Sequence, residues 1–306
     1  MAVAPRAQPG DFFSPDEWRR LTVRSRWRGL WLVAHCWGVI AAAMLVGALW
    51  PLTIPLAVLV VGGRQLGLAI LMHDAAHGLL HPNRRLNDTV AKWLCSPALD
   101  AYRPYHLQHH RYVQQAEDPD LGLSAPFPIS RQSLRRKLLR DLSGQTFYKQ
   151  RLAPALVAVA AQWAGQPTGA TASLDGRGLR FLIGNALGLA LFAAAGWAWV
   201  WLLLWLLPMA TWLPLITRVR NIAEHALVGQ DQPDPLRQAR TTQANWLERA
   251  LLAPYWVNYH AEHHQFTQLP CWALPQAHAL LRQRGVTARM EVQPGYPTVL
   301  RLASRG

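Results

Sequence analysis

The sequence predicts an all-α integral membrane protein: four transmembrane helices in two hairpins, with a cytosolic helical cap that holds a two-metal histidine site. Three observations carry that expectation. No charged residue occurs from Gly29 to Gly63 or from Phe181 to Thr217, and each run is long enough for two crossings joined by a tight turn if the helices continue into charged sequence at their far ends. Arginine and lysine crowd one side of these runs, at Arg19, Arg20, Arg24, Arg26, Arg28, Arg84, Arg85, Lys92, Arg103, Arg135, Arg136, Lys137, Arg218 and Arg220. Nine of the twelve histidines recur at helical-face spacings on that same side. The chain divides into a cytosolic or interfacial segment, residues 1–28, and one membrane domain, residues 29–306.

The composition excludes simpler classes. With 51% apolar residues and 15 Trp in 306 residues, the chain is too apolar for two ordinary soluble domains. A net charge of +14 would suggest nucleic acid in a soluble protein, but here the charge sets orientation. The positive-inside rule makes the arginine-rich side cytoplasmic, with both termini and every histidine cluster on it. The expected setting is a bacterial inner membrane, where a basic surface also holds anionic lipid head groups and an acidic redox partner. Nucleic acid is not an expected partner. Cys36, Cys95 and Cys271 are isolated, so neither a disulfide framework nor a cysteine-ligated iron–sulfur centre is encoded.

Taken in order, Ser14-Pro15-Asp16-Glu17 starts a short interfacial helix carrying Trp18: Ser caps, Pro suits the first turn and the acids suit the helix dipole. No cleavable signal is visible before the first apolar run. The first span runs from about Gly29 to Leu49, with a turn at Trp50-Pro51, and contains His35, read as structural. The second runs from Leu52 through Met72 and delivers His73 and His77 at its cytosolic end. Four residues apart on a helix, the two imidazoles share one face and can meet on one ion. Arg64 and Gln65 lie two turns earlier, at membrane depth, where charge marks a function or pairs with backbone. Asp74 can orient a ligand from behind.

Residues 82–87 read as a turn and helix start, and 93–101 as interfacial. His106, His109 and His110 follow in HLQHH. The turn Glu117-Asp118-Pro119-Asp120 is read as a solvated loop, support of the metal site from behind being the alternative. Arg131–Arg140 is a basic surface helix. Leu152–Ala164 is too short to cross, and Pro167–Gly178 reads as a flexible connection. Spans three and four turn at Gly196-Trp197, and the fourth emerges through Arg218 and Arg220 onto Asn221 and His225. An amphipathic segment, Trp246–Trp256, precedes His260, His263 and His264 in HAEHH. His278 stands alone and is read as structural.

One ion takes roughly four to six donors, so nine histidines imply two metals. Imidazole alone does not choose the metal, and a di-iron oxygen-activating centre and a di-zinc hydrolase both fit. A metal transporter would place its ligands inside the spans near the midplane, whereas these follow the spans. A bis-histidine haem would need paired histidines across spans, and His35 alone lies within one.

From His73 to Leu281 the chain resembles the membrane-bound fatty acid desaturase superfamily, whose signature is H-x(3,4)-H, H-x(2,3)-H-H and a C-terminal H-x(2,3)-H-H. The tail His263-His264-Gln265-Phe266, with Leu274-Pro275 and His278, resembles the acyl desaturases, though Thr267 stands where they often carry proline. His73-Asp74-Ala75-Ala76-His77-Gly78 also resembles carotenoid ketolases and hydroxylases. The resemblance implies two non-haem iron ions with O2 as co-substrate. Their ligands would be His73, His77, His106, His109, His110, His225, His260, His263 and His264, with Asn221 binding through a water. It further implies desaturation of a fatty acyl chain, hydroxylation or ketolation of a lipid, alkane or carotenoid being the alternative. No fused cytochrome b5 motif is present, so electrons are expected from a separate carrier such as ferredoxin.

Overall fold

The computed structural model describes residues 3–165 and 177–306. The connection expected at 167–178 falls outside them except for its last two residues, which open the helix Arg177–Ala194. Among the described residues three helices are long and apolar enough to cross a membrane: Arg28–Leu49, Pro51–Ala76 and Ala198–His225. Leu179–Ala194, where the third of four spans was expected, is a shorter apolar helix.

Both expected turns are where proline and glycine put them. After Leu49 the chain leaves the helix at Trp50 and re-enters through a 3-10 turn, Pro51–Thr53, where the Thr53 hydroxyl donates to the Trp50 carbonyl at 2.7 Å. Proline suits that first turn because it has no N–H to leave unsatisfied. Gly196 stands at φ +77 between Ala194 and Ala198, a left-handed conformation that side chains resist. Beyond it the helical path contains a π-helical turn, Leu202–Leu206, and a break at Thr211 before Trp212–His225.

The chain divides into two compact units, one of Met1–His35, Leu66–Leu134 and Thr217–Gly306, the other of Cys36–Gln65 and Arg135–Ile216. In the second, aromatic side chains and glycines provide the packing. Trp201 stacks on Trp205, and Trp37 on Trp205, with ring centroids 5.3 and 5.6 Å apart. A Cβ on Gly188 would sit 2.2 Å from the Trp201 ring, so only glycine admits that approach. Gln65 is buried, and its amide nitrogen donates to the Trp205 carbonyl at 2.8 Å, while its Oε1 has no hydrogen-bond partner.

All nine predicted ligands lie in the first unit, beside a core that the N-terminal segment helps to build. Phe13, Trp18 and Phe12 pack around the fully buried Phe266, at ring-centroid distances of 5.1, 5.8 and 6.1 Å. Trp18, read from the sequence as part of an interfacial helix, is partly buried and packs on protein here. The capping box itself is present, Ser14 and Glu17 each accepting from the other's backbone N–H. The all-α expectation also misses a parallel pair, Arg240–Thr242 with Glu291–Gln293. Three-residue strands are too short to show a period in the sequence.

Candidate metal centre

The nine imidazoles come from four segments, and the spacing within each explains its geometry. His73 lies in the last turn of the helix Ile54–Ala76. His77 follows immediately, where the chain turns through Gly78 at φ +75 and the Leu79 N–H closes on the Asp74 carbonyl at 3.0 Å. The helix Leu99–Tyr112 carries His106, His109 and His110. His225 ends Trp212–His225, and the short helix His260–Gln265 holds the last three.

These rings form two groups: His73, His77, His106, His110 and His263 in one, and His109, His225, His260 and His264 in the other. Within each group, one ligand atom per residue lies within 4.8 Å of every other. The i,i+4 pairs, His73/His77, His106/His110 and His260/His264, each stay within one group, as positions on one helical face must. The middle histidine of each H-x-x-H-H crosses over: His109 joins the His260 group and His263 joins the His106 group. Each H-x-x-H-H therefore bridges both sites.

The converging atoms are Nε2. Separations are 2.9 Å for His77–His106, 3.0 Å for His106–His110 and 3.0 Å for His110–His263. In the second group they are 3.2 Å for His109–His225, 2.9 Å for His225–His260 and 3.1 Å for His260–His264. Lone pairs facing one point at these distances suit a cation: donors about 2.1 Å from an ion sit about 3 Å apart at right angles. Burial pushes His106, His110, His260, His263 and His264 well below the usual imidazole range, with the neighbouring rings adding to the effect and Arg220 doing so for His106, His260 and His263. Burial, with the Arg6 and Arg103 charges, lowers His77 to about 4. These six rings are therefore neutral at pH 7, the form that a metal needs. Donor set, spacing and protonation fit two divalent transition ions.

Carboxylates fix several of these segments from behind. Asp118 is buried and lies 2.7 Å from His109 Nδ1, while also accepting from the backbone N–H groups of Gln114 and Asp120. The acidic turn is thus not a solvated loop; its aspartate holds a ring. Glu262 bonds His278 Nδ1 at 2.6 Å and accepts from the Thr241 hydroxyl, anchoring the helix His260–Gln265. This gives His278 the structural role expected of it. Asp74 accepts from the Cys271 N–H at 2.9 Å, and its other oxygen is 3.9 Å from His73 Nδ1. The Arg103 guanidinium spans the Ala75 and Ala76 carbonyls and Asp88, clamping the end of the His73 helix. His35 meets the Tyr255 hydroxyl at 3.2 Å, outside both groups.

Two cavities adjoin the rings. One is walled by members of both groups together with Tyr102, Arg220, Asn221 and Glu224. Asn221 is therefore at the site, where its Oδ1 accepts from Arg220 at 3.1 Å. The other, smaller, places Ile70, Val257 and Leu274 against His73, His260 and His263. Sequence reasoning overlooks Glu224, although it stands inside the same NIAEH stretch and on one helical face with Asn221.

Comparison with known proteins follows these residues. Residues 48–294 match the Fatty acid desaturase family. A dihydrorhizobitoxine desaturase of Bradyrhizobium elkanii is 28% identical over 290 residues, covering 87% of this chain and 76% of that one. A beta-carotene ketolase of Paracoccus sp. (strain PC1) is 37% identical over 107 residues, 31% of this chain and 40% of that one.

Proposed function

The chain belongs to the fatty acid desaturase family, and from that premise we propose that it is a di-iron, O2-dependent desaturase of a fatty acyl chain in a bacterial inner membrane. The observation that carries the proposal is the division of nine imidazoles into two groups that share both H-x-x-H-H segments. One iron would be held by His73, His77, His106, His110 and His263, the other by His109, His225, His260 and His264, with Asn221 linked through a water. Bound there, the irons would supply, with O2 and two electrons, an oxidant able to break an unactivated C–H bond, which no side chain can do.

The residues of this chain account for the rest. Ile70, Val257 and Leu274 make apolar space against both groups, which suits a methylene segment of a lipid. Desaturation converts CH2–CH2, O2, two electrons and two protons into CH=CH and two waters. Two hydrogens leave the substrate, and a separate carrier such as ferredoxin supplies the electrons from the basic cytoplasmic side.

The ketolase match favours a second reading, oxygen insertion into a carotenoid. Both reactions begin by removing one hydrogen, and they diverge on how close the carbon radical is held to the oxidant. Desaturation is preferred because the desaturase similarity spans most of both chains and the ketolase similarity a minor part. Lipid extracts from cells expressing the chain, compared with a His263→Ala version, would identify the substrate. In a reconstituted reaction, a product lighter by two hydrogens supports the proposal, and one carrying oxygen from O2 rejects it in favour of the second reading.

A further inference from the structure

We propose that Glu224 is a direct ligand of the metal at the four-histidine site, giving each of the two ions five protein donors. The inference rests on the two-metal reading above. The histidines divide five and four, and the cavity beside the smaller group is lined by the carboxylates of Asp120 and Glu224. Glu224 precedes His225 on the same helix and is 3% exposed. Its Oε2 lies 3.6 Å from His260 Nε2, the atom that faces His225 and His264. Two donors about 2.1 Å from one ion are about 3.0 Å apart at right angles and about 3.6 Å apart at 120°, so this separation lets Glu224 and His260 share an ion once the side chain closes on the other three histidines, whose 4.8 Å grouping does not include it.

The polar partners of Glu224 point the same way. Oε2 also meets Arg220 at 3.2 Å, but Oε1 is buried with no hydrogen-bond partner. A buried carboxylate oxygen left bare is strongly unfavourable, and a cation beside it removes that penalty. Charge gives a second, independent reason. Two divalent ions held by neutral imidazoles alone place four positive charges in a buried site, and Arg220 adds a fifth. Asp118 and Glu262 act on the far side of the rings or on their helix. Glu224 is the carboxylate that approaches a converging Nε2. Arg220 joins it to Asn221, so Asn221 acts on this site through the guanidinium as well as through a water.

The test uses the full chain purified in detergent, with metal per chain before and after dialysis against a chelator, and 57Fe Mössbauer spectra. Wild type is expected to hold two ions in two distinct environments. Glu224→Gln keeps the shape and removes the charge. It is expected to change one environment and leave the other, and to weaken retention of one ion about 10- to 100-fold. Glu224→Asp, which sets the carboxylate back by one methylene, is expected to keep both ions with the same environment altered, and it serves if the glutamine variant does not fold. Wild-type spectra and retention in either folded variant overturn the assignment. So does a change in Asn221→Ala with none in Glu224→Gln. Wild type that binds no metal at all would fail differently, because it rejects the two-metal reading itself.

Discussion

An imidazole binds a metal only through an unprotonated nitrogen, so whatever holds its other nitrogen decides where the ring points. For His109 that partner is Asp118, at 2.7 Å and buried. Asp118→Ala should leave the helices in place but free the ring, weakening metal retention at the four-histidine site about 10- to 100-fold. Metal analysis after chelator dialysis measures this, and unchanged retention would show the aspartate to be a mere loop anchor. The protonation states also set a pH dependence. His77 is lowered in the folded chain from 6.5 to about 4, so protons favour the unfolded chain, where the ring titrates normally. Its contribution is complete above pH 6.5 and is lost as pH falls toward 4, by about 1.4 kcal/mol per pH unit within that window. The metal-free chain should therefore lose thermal stability, and the loaded chain its metal, on acidification through that range. A flat melting temperature from pH 7 to 4.5 contradicts this.

At the scale of elements, the sequence shows which residues converge but not with whom. The i,i+4 spacing of His73/His77 and His106/His110 is visible because a helix has one period, and both pairs behave as that period requires. The crossing of His109 and His263 depends on which helices face each other, which no local pattern records. Asp118 is misread for the same reason: a short acidic turn has the same composition whether it faces solvent or a ring. The contact of Trp18 with Phe266 is likewise not written locally, because an amphipathic helix can cover protein as well as lipid. Close approaches are equally invisible. Gly29, in the helix Arg28–Leu49, would place a Cβ 2.0 Å from the Leu80 carbonyl oxygen. Gly29→Ala should destabilise the chain by about 1–3 kcal/mol, read as a lower melting temperature in detergent. A neighbouring Gly38→Ala, where a Cβ meets nothing within 4 Å, should not. The loop after Pro254 allows an element-level test of substrate space. Val257→Trp should fill the apolar cavity and abolish turnover while both metals remain, and full activity would place the substrate elsewhere.

For the whole molecule, the decisive asymmetry is charge. The protein carries 31 basic residues against 17 acidic ones, yet none within the two uncharged runs, and the hairpin turns at Trp50-Pro51 and Gly196-Trp197 are free of them as well. Translocating arginine is costly, so the proposed topology keeps the basic flanks cytoplasmic and sends the turns outward. On the proposed topology the metal site would open to the compartment that holds intracellular electron carriers, which the proposed O2-dependent reaction would need for its two electrons. Ala195→Cys and Ser130→Cys, both exposed positions, report on opposite flanks. Made separately after replacing the partly exposed Cys95 with serine, they should respond oppositely to a thiol reagent that cannot enter cells. Ala195→Cys should label in intact cells, and Ser130→Cys only after permeabilisation. The reverse pattern would put the histidines outside the cell, away from intracellular electron carriers, and would overturn the proposed electron supply together with the topology.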